Sequence, residues 1–112
     1  MIAEFSINPM DSTHISKELA FLVEILDVSG LPYRLGPMGT CVEGSWDQVM
    51  DAVRRCHLAL AARHERVVTN VFMDDRKSHP HALADMVRSV EKHLINRAPA
   101  VATEDRTWAE EL

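Results

Sequence analysis

The sequence predicts an α+β domain in which four antiparallel strands carry two helices on one face, with a further helix near the C-terminal end. Three observations predict it. Residues 2–8 alternate apolar and polar positions by twos and residues 66–73 read as a further, largely apolar strand, three other stretches place their apolar residues on one helical stripe each, and a turn rich in Gly and Pro joins two short strand-like runs between them. A chain of 112 residues that is 46% apolar holds enough for one modest core, so a single domain is expected.

In the first strand Ala3, Phe5 and Ile7 share one face and Ile2, Glu4, Ser6 and Asn8 the other, with Pro9 as its end. Asp11-Ser12-Thr13 is a polar loop able to cap the helix that follows. That helix carries the stripe Ile15, Leu19, Leu22, Val23 and Leu26, and Gly30 then Pro32 supply its stop. Tyr33-Arg34-Leu35 and Thr40-Cys41-Val42-Glu43 flank Gly36-Pro37-Met38-Gly39 and read as a hairpin. Ser45-Trp46-Asp47-Gln48 fits a capping box, ahead of a stripe of Val49, Val53, Cys56 and Leu60 in which Cys56 is a small core residue. Trp46 is expected to staple that helix start to the sheet, and Tyr33 and Phe72 to pack in a core or an interface. The fourth strand runs from Arg66 to Met73, and Leu83, Met86, Val87, Val90 and Leu94 form the last stripe. Residues 1–95 are thus the expected domain and 96–112 a tail that is mobile or ordered only against a partner.

The order β-α-β-β-α-β is the ferredoxin-like split βαβ arrangement. It leaves the second sheet face, with Ile2, Glu4, Ser6, Val68, Asn70 and Phe72, without a helix over it, a mixed surface suited to a partner sheet or a pocket at a subunit interface.

Composition excludes several functions. A net charge of −5 with no local basic cluster argues against a nucleic-acid footprint, and no apolar run approaches the ~20 residues that span a bilayer. With no signal-peptide pattern at the start, Cys41 and Cys56 are expected to be reduced thiols in a cytoplasmic protein. The six histidines show no helical i, i+4 pairing and no C-x-x-C accompanies them, so His14, His57, His64, His93 and the His79-Pro80-His81 loop read as solvent-exposed rather than metal-binding. No nucleophile elbow, P-loop or dinucleotide fingerprint is present. What needs explanation is a carboxylate inside a four-residue strand. Glu43, and Glu4 on the first strand, are either rim residues paired with an arginine such as Arg34 or acceptors for a cationic or amine-bearing ligand.

Taken in order, Ile2-Ala3-Glu4-Phe5-Ser6-Ile7, Ser16-Lys17, Ser29-Gly30-Leu31, Pro37-Met38-Gly39-Thr40 with Glu43-Gly44, Arg66-Val67-Val68-Thr69, Asp74-Asp75-Arg76 and Val90-Glu91-Lys92 resemble the small thiamine-binding protein family across residues 2–94. The resemblance implies a homodimer or homotetramer joined through its sheets, no cofactor, and non-catalytic binding of thiamine or its hydroxymethylpyrimidine part in a carrier, salvage or sensing role. Thiamine offers a thiazolium cation and an aminopyrimidine. On that reading Glu43 accepts from the ligand amine or cation, Ser6 and Thr40 bond the pyrimidine, Met38 and the Gly39 backbone form a wall, and Glu4, Asn70 and Phe72 complete the set. The alternatives are a structural or regulatory homo-oligomeric module without a small ligand, and an enzyme acting through Glu43 or a histidine. This chain departs from the family pattern at Cys41, in the loop of residues 78–81 and in the tail from Asn96.

Overall fold

A computed structural model describes residues 1–11, 15–77 and 83–95. The elements are β1 (Ile2–Pro9), α1 (Ser16–Ser29), β2 (Tyr33–Leu35), β3 (Thr40–Glu43), α2 (Trp46–Ala61), β4 (Val67–Asp74) and α3 (Leu83–Ile95). The sheet is antiparallel throughout, in the order β2-β3-β1-β4, and the domain is α+β with the ferredoxin-like arrangement. The tail from residue 96, the loop of residues 78–82 with His79 and His81, and His14 lie outside the described residues.

The period-2 pattern of β1 decides what is buried. Ala3, Phe5 and Ile7 are each under 5% exposed and meet Leu22 and Leu26 of α1 and Val49, Ala52, Val53, Cys56 and Leu60 of α2. The register aligns Val42 with Ala3 and Val71 with Phe5, so β3 and β4 extend the same face. Fully burying a Leu or Val side chain is worth about 1.5–3 kcal/mol, and Leu26, Leu60, Val42 and Val49 are all in that position.

Helix ends follow their caps unevenly. Gly30 closes α1 in the left-handed conformation (φ 72°), which glycine adopts without strain, and its amide donates to the Asp27 carbonyl at 3.3 Å. Ser45 and Gln48 form the expected capping box on α2. At the start of α1 the N-cap is Ile15, with no side-chain hydrogen bond, and Ser12 and Thr13 of the expected capping loop lie outside the described residues. Trp46 is 55% exposed rather than stapled under the sheet, and Phe72 is 72% exposed on the second face. Tyr33 is half-buried and its hydroxyl donates to Asp27 Oδ1 at 2.5 Å.

The second face is not left without a helix. Glu43 Oε2 accepts the Leu83 amide at 3.1 Å, which sets the start of α3 against β3 with Leu83 buried. Beyond that turn Met86, Val87, Val90, Leu94 and Ile95 are all exposed, and α3 makes its main contact with the described fold at β3.

His57 and His64 are also placed differently from expectation. Both are partly buried, His57 with Nδ1 at 2.6 Å from Thr69 Oγ1 and His64 with Nδ1 at 2.9 Å from Asp11 Oδ1. The other His64 nitrogen lies 3.3 Å from Glu18 Oε1, near enough for an ion pair but not aligned as a hydrogen bond. Arg63, stacked 4.1 Å over the Phe21 ring, reaches the second Glu18 oxygen at 3.7 Å. This cluster fastens the end of β1, α1 and the α2–β4 loop to one another.

Candidate functional site

Strand lengths create the site. β1 and β4 each run eight residues and pair along their whole length, whereas β3 is four residues long and β2 three. The β1–β3 ladder therefore ends at Phe5↔Thr40. Past that point β1 continues alone on its β3 side, and the hairpin turn leaves a notch. The notch is lined by residues 5–8, by Ile15, Leu19 and Leu22 near and in α1, and by residues 36–40. Its empty space is about 380 Å³ counted to its open mouth.

Two glycines hold the hairpin end in place. The Gly36 amide donates to the Gly39 carbonyl at 2.9 Å and closes the turn. A Cβ on Gly39 would lie 3.1 Å from both the Phe5 carbonyl oxygen and Glu4 Cγ, so the turn rests directly on β1.

Of the residues expected to bind ligand, Ser6, Met38, Gly39 and Thr40 come together around this notch. Thr40 is 4% exposed, and its hydroxyl has no hydrogen bond among the described residues. Met38 is 86% exposed at the rim. Glu4 borders the site from the second face: it touches the Gly39 position, and its Oε2 accepts from the Cys41 thiol at 3.6 Å. Burial first, then the hydrogen bond and charge of Glu4, push the Cys41 thiol above its ordinary pKa. Asn70 and Phe72 stand across β1 from the hairpin, opposite Ser6 and Glu4 in register, and are exposed. Glu43 is not in the notch lining, and it pairs not with Arg34 but with the first described amide of α3. Ile15, Leu19 and Leu22 line the notch although their helical spacing marked them only as core, and nothing in the pattern of side chains singled them out.

Among the described residues, no group of three His, Cys, Asp or Glu side chains is arranged to hold an ion. No helix among them is long and apolar enough to cross a membrane.

Comparison with known proteins places the chain. The family model for thiamine-binding proteins matches residues 3–91. A UPF0045 protein of Methanothermobacter thermautotrophicus is 35% identical over 96 residues, covering 82% of this chain and 97% of that protein. The Bacillus subtilis UPF0045 protein YqgV is 30% identical over 100 residues, covering 83% and 96%. Among solved structures, the hypothetical protein MJ1052 of Methanocaldococcus jannaschii superposes with a TM-score of 0.74 at 25% identity, over 81% of this chain and 95% of that one. A Thermotoga maritima protein provisionally assigned to thiamine biosynthesis or salvage shares the fold, with a TM-score of 0.68 at 21% identity over 80% and 96% of the two chains. With a family match across nearly all of the described fold, the chain belongs to the thiamine-binding protein family.

Proposed function

We propose that this protein binds thiamine, or the hydroxymethylpyrimidine part of it, without chemical turnover, and that the notch beside β1 holds the pyrimidine ring. The observation that carries the reading is the notch itself, in which Thr40, 4% exposed, joins Ile15, Leu19 and Leu22 between β1 and the 36–39 turn. Leu19, Leu22 and Ile15 supply apolar walls, Thr40 and Ser6 supply hydroxyls, and Glu4 at the rim is the described carboxylate best placed to meet the thiazolium cation outside. Family membership supports the choice of ligand, and among the described residues lining the notch no base stands against a nucleophile.

The test is calorimetric titration of thiamine and of hydroxymethylpyrimidine into the wild-type protein and into Thr40→Val, which keeps the shape and removes the hydroxyl. A loss of about fivefold to tenfold in affinity, the value of one hydrogen bond, is expected. Equal affinity in a well-folded variant, or no binding of either compound to the wild type, refutes the reading.

Assembly belongs to the same proposal. The apolar stripe of α3 from Met86 to Leu94, together with Phe72 and Met73, is exposed in the single chain and fits burial against further copies of it. If native mass spectrometry finds an oligomer that never carries or accepts a small molecule, the alternative of a purely structural module replaces the binder.

A further inference from the structure

The notch contains a recognition element that side chains do not supply. In an antiparallel ladder, residues alternate between exchanging both backbone hydrogen bonds with a given neighbour and exchanging none. Two bonds at the ends of β1 fix that alternation. The Met10 amide donates to the Arg66 carbonyl at 2.9 Å, so the even-numbered residues of β1 direct their backbone groups to β4. The Gly44 amide donates to the Met1 carbonyl at 3.0 Å, so the odd-numbered residues direct theirs to the β3 side. The two assignments agree, and they put Pro9, which has no N–H, on the side where no strand faces it.

Ala3 and Phe5 find their partners in Val42 and Thr40. The next odd residue is Ile7. The ladder has ended there, and no backbone bond joins Ile7 to the 36–39 turn among the described residues. Its N–H and C=O both open into the notch, with the Thr40 hydroxyl in the same lining. A donor and an acceptor left without partners side by side favour an occupant that satisfies both together.

We infer that the Ile7 peptide edge reads the ligand by a paired hydrogen bond. The Ile7 N–H donates to a ring nitrogen, and the Ile7 C=O accepts from an amine on the adjacent ring carbon. The chemical class is a planar heteroaromatic ring with a 4-aminopyrimidine edge. Such a ring would lie between the apolar side chains of Leu19 and Leu22 and the hairpin turn. The inference rests on the proposed ligand reading for the identity of the whole molecule, but it concerns which atoms are recognised. It also locates specificity in the backbone of a residue whose side chain belongs to the core.

The experiment uses the full chain in two forms. One carries the hydroxy-acid analogue of isoleucine at position 7, which replaces only the Ile7 N–H by an ester oxygen. It is assembled by ligating a synthetic segment of residues 1–40 to the remainder at Cys41. The other is the all-amide protein made in the same way. Each is titrated with thiamine, with 4-amino-5-hydroxymethyl-2-methylpyrimidine and with the same pyrimidine lacking the amine, and each is unfolded thermally. The expected results are an affinity for the amine compound at least about tenfold above that for its des-amino analogue, a loss of about threefold to tenfold in the ester protein, and a melting temperature nearly unchanged because the Ile7 N–H has no ladder partner. Equal binding with and without the amine, or an ester that lowers melting without touching affinity, overturns the inference even when thiamine binds. Selective binding of the aminopyrimidine without binding of thiamine upholds it and rejects thiamine as the ligand. Failure of all three compounds to bind the all-amide protein rejects both.

Discussion

Glu43 tests whether its strand position serves the ligand or the third helix. Its Oε2 accepts the amide at the start of α3 at 3.1 Å, and a carboxylate there also faces the positive end of the helix dipole. Losing a capping acceptor costs about 0.5–2 kcal/mol, and the charge adds about 0.3–1 kcal/mol. Glu43→Ala removes both and should cost about 1–2 kcal/mol; Glu43→Gln keeps an acceptor oxygen and should cost less than about 1 kcal/mol. Because α3 otherwise exposes nearly all its apolar residues, the loss is local. Amide hydrogen exchange should show protection in α3 of the assembled protein falling about tenfold in Glu43→Ala and less in Glu43→Gln, with the amides of Val53 and Leu60 in α2 unaffected. Unchanged α3 protection in both variants refutes the capping role. A parallel titration separates the two roles: since Glu43 does not line the notch, Glu43→Gln should bind thiamine as the wild type does. A tenfold loss of affinity with α3 intact would return Glu43 to the ligand.

Three more outcomes follow from the same geometry. Gly39→Ala brings a Cβ to 3.1 Å from the Phe5 carbonyl, which is held in the ladder, so the hairpin end must lift; calorimetry should show ligand affinity falling by more than the modest loss in melting temperature suggests. Cys56 is wholly buried and its thiol is pushed up to about 11, so at pH 8 a thiol reagent should label Cys41 first and Cys56 only on unfolding. The raised value holds the proton more tightly in the folded state, so this contribution to stability is complete below about pH 9 and declines as pH rises towards 11 in denaturant titrations. Asp11 shows the opposite sign: desolvation opposes its charge, but hydrogen bonds from its own amide, the Glu65 amide and the His64 ring outweigh it and lower its pKa. Its contribution is present above the ordinary aspartate range and lost below it, and Asp11→Asn should flatten the acid limb of the stability profile.

The parts of the fold that were legible in the sequence are those set by local chemistry. Alternation along β1 named Ala3, Phe5 and Ile7 as the buried face, Ser45 and Gln48 announced the capping box, and Gly30 marked the left-handed stop of α1. The parts that were not legible depend on where distant segments meet. The Glu43–Leu83 bond joins residues forty positions apart, and no periodicity connects them. His64 looked like a surface histidine because its partners, Asp11 and Glu18, belong to elements far away in the chain. Residue type and the family resemblance picked out Ser6, Met38, Gly39 and Thr40, which the fold gathers around one notch, while Asn70 and Phe72 follow from sharing the face of Ser6 and Glu4, on the far side of β1 from the hairpin. Ile7 could not be found that way, because its side chain has an ordinary core role and only its backbone is unusual.

That last point explains why the turn, rather than any single carboxylate, organises the site. An inner strand of a sheet normally has both edges paired, and β1 has one edge paired only as far as Phe5. Nothing about Ile7, a β-branched residue well suited to a strand, ends the ladder there. The ladder ends because Gly36 and Gly39 close the chain with only two residues between them, Pro37 fixing the backbone there. The contact of Gly39 with the Phe5 carbonyl then seats the turn against β1 before Ile7 is reached. A longer hairpin would pair Ile7, add two backbone hydrogen bonds and fill the notch. The shorter one forgoes them and leaves a donor, an acceptor and the Thr40 hydroxyl together in an apolar setting, where a matching ring edge gains most from each bond it makes.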